Sequence, residues 1–129
     1  MSVKSERGAF GESYTAERLA AEGYIIKERN YRVKGGELDI IAERDGIIAV
    51  VEVKTRKFGS LTEGLEAITR RKRDCIIKAT RLYLLNKGIE DKGVRFDVAE
   101  VTVTTENIPR VLGYKYYENA FDATDAGIY

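Results

Sequence analysis

Three side chains near the middle of the chain could act together: Asp39, Glu52 and Lys54. Glu52 and Lys54 are two apart in the apolar, β-branched run Ile47 to Arg56, so on a strand they project from one face. The run before it, Gly36 to Ala42, has the same character. Asp45-Gly46 between the two is a strong hairpin signal. A two-residue loop there sets Leu38 opposite Val53, Ile40 opposite Val51 and Ala42 opposite Ala49, an apolar face. The other face then pairs Glu37 with Lys54, Asp39 with Glu52 and Ile41 with Val50, and a slip by one residue would exchange the faces. Like charges directly opposed across two strands are destabilising. Asp39 and Glu52 therefore call for a cation or a proton. Mg²⁺ takes oxygen ligands, usually one or two carboxylates with waters and substrate phosphates, and a neighbouring lysine suits a phosphate or an activated water.

The rest of the composition narrows the chemistry. Histidine is absent, which removes Ser-His-Asp and Cys-His catalysis, His-ligated zinc and His general base chemistry. One cysteine allows no internal disulfide and no Cys cluster. Acid-base or metal work falls to carboxylates and lysines. With 22 basic and 21 acidic residues the net charge is +1, so a nucleic-acid footprint must be local. At 129 residues, 43% hydrophobic and 33% charged, the chain reads as one domain over 1–129 with a core at about 8–121. Residues 1–8 lack the apolar stretch of a signal peptide, and Ile47 to Val51 is far too short for a membrane span. A cytoplasmic protein without membrane contact is the expectation.

The elements that must position these residues follow from periodicity. Residues 5–22 read as a helix capped by Ser5 and stopped by Gly23, with Ala9, Ala16, Leu19 and Ala20 inward and Tyr14 at the edge. Glu12 lies on that stripe, either as a third acidic ligand or as a capping or salt-bridge residue. Tyr24 to Val33 reads as a strand leading through Lys34-Gly35-Gly36 into the hairpin. Arg29, Arg32 and Lys34 bring positive charge beside the acidic pair, or are solvated strand and turn residues. Thr62 can cap a long helix to about Asn86, closed by Gly88, with a break near Thr69. Its inner stripe is Leu65, Ile68, Ile76, Ala79, Leu82 and Tyr83. The run Arg70-Arg71-Lys72-Arg73 is either a nucleic-acid patch or a solvated face. Lys72, one turn before Ile76, could reach the carboxylates. Val94 to Val103 is a fourth strand, irregular near Ala99, added in parallel or mixed fashion after the helix. Tyr114 to Tyr117 is a short edge strand.

This order, helix, three antiparallel strands, helix, two strands, with Asp39 followed by Glu52-Val53-Lys54, resembles the restriction-endonuclease-like superfamily: an α/β fold with a mixed central sheet flanked by helices. Further motifs sharpen it: Gly8-X-X-Gly11-Glu12, Arg29-Asn30-Tyr31-Arg32, Gly36 to Ala42, Val51 to Arg56, Lys72, Arg95-Phe96-Asp97-Val98 and Asn119-Ala120-Phe121. Together they resemble the bacterial YraN-like family of small proteins, itself similar to archaeal Holliday junction resolvases. The resemblance implies an endonuclease using Mg²⁺ or Mn²⁺ on DNA, with branched or structured DNA as substrate. It implies that Asp39 and Glu52 bind the ion, that Lys54 orients water or stabilises the phosphorane, and that Glu12 completes the acidic cluster. Arg32, Lys34, Arg56, Arg70 and Lys72 are the expected nucleic-acid contacts, and a homodimer would gather such residues on one face. The alternative is a binding or interaction module that keeps the fold without cutting, or charges that merely pair with one another.

Overall fold

The computed structural model describes residues 5–59 and 68–123. The elements run α1 (Glu6–Ala21), β1 (Ile25–Val33), β2 (Gly36–Arg44), β3 (Ile47–Lys57), α2 (Arg70–Lys87), β4 (Gly93–Val103) and β5 (Val111–Phe121). This is the expected order. Five strands form one sheet in sequential order, antiparallel except for β3 and β4, which run parallel across the α2 crossover. The fold is the mixed, helix-flanked sheet of the restriction-endonuclease-like class.

Both helices form where local signals place them. Ser5 caps α1 by accepting from the Gly8 N–H, and Gly23 follows the helix at φ +93°. Thr69, expected to mark a break, is the N-cap of α2 and accepts from the Lys72 N–H. Gly88, in the left-handed region, closes the helix. Thr62 and Leu65 lie outside the described residues.

The helix faces differ from the expected stripes. Gly11, Glu12, Thr15, Ala16 and Leu19 are the buried residues of α1, whereas Ala9 and Ala20 are exposed. On α2, Ile77 and Thr80 face inward with Ile76, Ala79 and Tyr83, and Leu82 is partly exposed. Thr15 and Thr80 fit the interior because each hydroxyl donates to the carbonyl one turn back, from Gly11 and Ile76. Polarity alone misplaces such residues.

The hairpin forms as read, with Asp45 and Gly46 both at positive φ, as a type I′ turn requires. Ile40 pairs with Val51, Ile41 with Val50 and Ala42 with Ala49. Its two faces feed two cores. Ile40, Ala42, Ala49 and Val51 pack with Ala16 and Leu19 under α1, while Ile41, Ile48 and Val50 pack with Ile76, Ile77 and Tyr83 under α2. One expectation fails at Leu38, which belongs to the α2 core rather than to the face of Ile40. The ladder with β3 begins only at Ile40. The pairing of β4 with β5 shifts between Phe96 and Val98, close to the irregularity expected near Ala99, and again between Thr102 and Val103. The edge strand is longer than Tyr114 to Tyr117, and residues 124–129 lie outside the description.

α1 approaches β3 closely. A Cβ built on Gly11 would lie 1.9 Å from Thr55 Oγ1 and 2.9 Å from its Cβ, so one of the two elements would have to shift. Gly11→Ala is expected to destabilise the protein by about 1–3 kcal/mol through overpacking. Thr55→Ala in the same chain should restore part of that loss in urea unfolding.

Candidate active site

The end of the β2–β3 ladder at Ile40 builds the site. Just beyond it Asp39 turns its carboxylate toward β3, and Oδ2 accepts the Val53 N–H at 2.9 Å. The side chain thus replaces the backbone carbonyl that a regular antiparallel ladder would supply. Asp39 and Glu52 are both buried and hydrogen-bonded to each other.

Glu52 lies on the α2 side of β3, in the row of Ile48 and Val50. Its pKa is pushed up to about 9, first by burial, then by the hydrogen bond and charge of Asp39; Lys72 and Lys54 oppose the rise. At neutral pH the pair therefore holds a proton in the place where a cation would serve. Lys72 Nζ stands 3.6 Å from Glu52 Oε2, an ion pair, and that oxygen accepts no hydrogen bond among the described residues. The position of Lys72 one turn before Ile76 was the signal for this contact. Lys54 follows two residues after Glu52 on the same face.

The other expected residues divide. Glu12 is almost fully buried, but on α1, across the sheet from Glu52, with Arg29 Nη2 3.6 Å from its Oε1. Among the described residues no three acidic or Cys side chains converge closely enough to hold an ion. Arg32 pairs with Glu37 at 3.4 Å, so Glu37 is not the partner of Lys54 that the hairpin register suggested. Lys34 is exposed in the β1–β2 turn. Arg70 opens α2, whose first turn carries no acidic residue despite the preference of helix N-termini for negative charge. Arg56 lies on the Glu52 face of β3, beside Glu100 of β4. Glu100 is a buried carboxylate that sequence reasoning missed, because its place beside Lys54 exists only through the parallel crossover.

The residues fit a hard divalent ion. Two buried carboxylates, Asp39 and Glu52, the latter with a raised pKa and an Oε2 that lacks a hydrogen-bond partner among the described residues, supply the oxygen donors that Mg²⁺ commonly takes from a protein. No helix among the described residues is long and apolar enough to cross a membrane.

Fold and site together define a restriction-endonuclease-like domain with an acidic pair and lysines at the splayed end of its central hairpin. The model of the family described as "Uncharacterised protein family UPF0102" matches residues 11–101, and the chain belongs to that family. A UPF0102 protein of Dictyoglomus turgidum is 38% identical over 116 residues, covering 90% of this chain and 97% of the relative. One from Clostridium botulinum strain Loch Maree is 44% identical over 115 residues, covering 88% and 92%. The YraN-like resemblance is borne out by these matches.

Proposed function

We propose that the protein is a Mg²⁺- or Mn²⁺-dependent endonuclease that hydrolyses phosphodiester bonds in DNA, with branched or structured DNA as its substrate. The observation that carries this reading is the buried Asp39–Glu52 pair with Lys54 and Lys72 beside it. Asp39 and Glu52 would hold the ion. Such an ion lowers the pKa of a bound water and polarises a phosphate, which supplies a nucleophile to a chain without histidine. Lys54 would stabilise the negative charge that grows on the phosphate oxygens. Lys72, now paired with Glu52, would contact the substrate's backbone, with Arg32, Lys34 and Arg70 as outer contacts. This activity would take place in the cytoplasm, and a homodimer would offset the low net charge by gathering basic residues on one face.

Isothermal titration of Mg²⁺ and Mn²⁺ into the wild type and Asp39→Asn, together with cleavage assays on branched and linear DNA, tests the reading. Ion binding and turnover should both disappear in Asp39→Asn. Lys54→Ala should keep ion binding while turnover falls by about 10²–10³, the cost of removing a group that stabilises transition-state charge. DNA binding that needs no metal and gives no cleavage would favour the non-catalytic module.

A further inference from the structure

The far half of β3 holds a second charged pair that the catalytic reading does not use. Arg56 follows Lys54 by two residues, on the same face, and its side chain is 18% exposed. Its Nη1 lies 4.0 Å from Oε2 of Glu100, which is 7% exposed. That distance is an ion pair but too long for a hydrogen bond. Arg56 Nε and Nη1 and Glu100 Oε2 have no hydrogen-bond partner among the described residues.

A guanidinium that merely braced the sheet would be expected to close on its carboxylate in the bidentate geometry this pair favours. Arg95 does so with Asp97 one turn of the pleat away. Arg56 instead keeps unmet buried donors, which is unfavourable while it stays so. Both are buried, so an anion would satisfy them by drawing this partly exposed side chain outward. Glu100 is in a position to hold it: β4 sets Glu100 directly beside Lys54, and β5 sets Lys115 on its other side. The lysines temper the repulsion that this carboxylate would exert on an approaching phosphate.

We propose that Arg56, positioned by Glu100, binds the backbone phosphate next to the scissile one, so that β3 tracks a single strand of DNA through Lys54 and then Arg56. Two residues along a strand span about 6.6 Å, the order of the spacing between neighbouring phosphates of an extended nucleic-acid strand. Arg56 is the contact and Glu100 the positioning residue. The inference rests on the nuclease reading, since it takes Lys54 to face the scissile phosphate.

The test uses the full chain, Ca²⁺ in place of Mg²⁺ to prevent turnover, and DNA carrying one neutral methylphosphonate at each linkage in turn around the cleavage position. The wild type should lose about tenfold in affinity when the linkage beside the scissile one is neutral. Arg56→Gln should bind unmodified DNA about tenfold more weakly, reduce the salt slope of binding by about one, and lose nothing further on the modified DNA. Glu100→Gln should shrink the difference between the two DNAs while keeping affinity for the modified one, and Glu100→Asp should restore part of it. A wild type indifferent to every neighbouring neutral linkage overturns the proposal without reference to any variant's folding. Equal discrimination by Arg56→Gln and wild type also overturns it, leaving the nuclease reading intact. A wild type that binds no DNA removes both.

Discussion

Glu52→Gln is expected to abolish metal-dependent cleavage, by about 10²–10³ or more, and at the same time to make the metal-free protein more stable at alkaline pH. The two effects have one cause. Burial and Asp39 raise the Glu52 pKa to about 9 from an ordinary 4.5. Below pH 4.5 the group is protonated in both folded and unfolded chains and contributes nothing. Between 4.5 and 9 the unfolded chain has released the proton and the folded one keeps it, so stability falls as pH rises. Above 9 the full penalty is present. At pH 7 it amounts to as much as about 3 kcal/mol at 1.36 kcal/mol per unit. Glutamine carries no proton to lose, so the variant's melting temperature should exceed the wild type's at pH 8 and match it near pH 4.5. Mg²⁺ should raise the wild-type melting temperature, and leave that of the variant unchanged. A variant less stable than the wild type at pH 8 would mean that Glu52 serves as a structural ion-pair partner of Lys72.

The largest loss of stability is expected away from the site, at Asp97. This carboxylate is fully buried. Oδ1 and Oδ2 accept from Arg95 at 2.9 Å each, Tyr116 OH donates to Oδ2, and the Asn119 N–H donates to Oδ1 at 2.8 Å. Asp97 sits where the β4–β5 pairing shifts, and Asn119 adopts φ +56° there. The network anchors the edge strand at a place where the ladder cannot. Burial first, then the bond to Asp97, raises the Tyr116 pKa and keeps its hydroxyl a donor. Asp97→Ala leaves the Arg95 guanidinium without its buried partner and should cost about 3–5 kcal/mol in urea unfolding. A loss below about 1 kcal/mol would equate the network with a surface ion pair. Cleavage per folded molecule should be little changed, because Asp97 lies on the α1 side of the sheet with Tyr24, opposite Glu52.

How much was legible depended on how local its cause is. Element order, the Ser5 cap, the Gly88 stop and the hairpin register from Ile40 to Arg44 all follow from neighbours in the chain. So does the reach of Lys72 to Glu52, because helix spacing put it on the inner side. The α1 face was misjudged because Gly11 and Thr15 are buried by close approach to β3 and a backbone hydrogen bond, neither of which an apolar stripe records.

The residue types of the acidic pair and its lysine, their spacing across a tight turn, and the family they mark are properties of the sequence by itself. Only the tertiary structure decided that the Asp39 carboxylate takes the Val53 N–H, and that Glu12 stands across the sheet beside Arg29. It also set Glu100 in line with Lys54. The physical reason is common to all three. Strand splaying, helix placement and a parallel crossover depend on contacts between segments far apart in the chain, and local patterns of polarity carry no information about which of those segments meet.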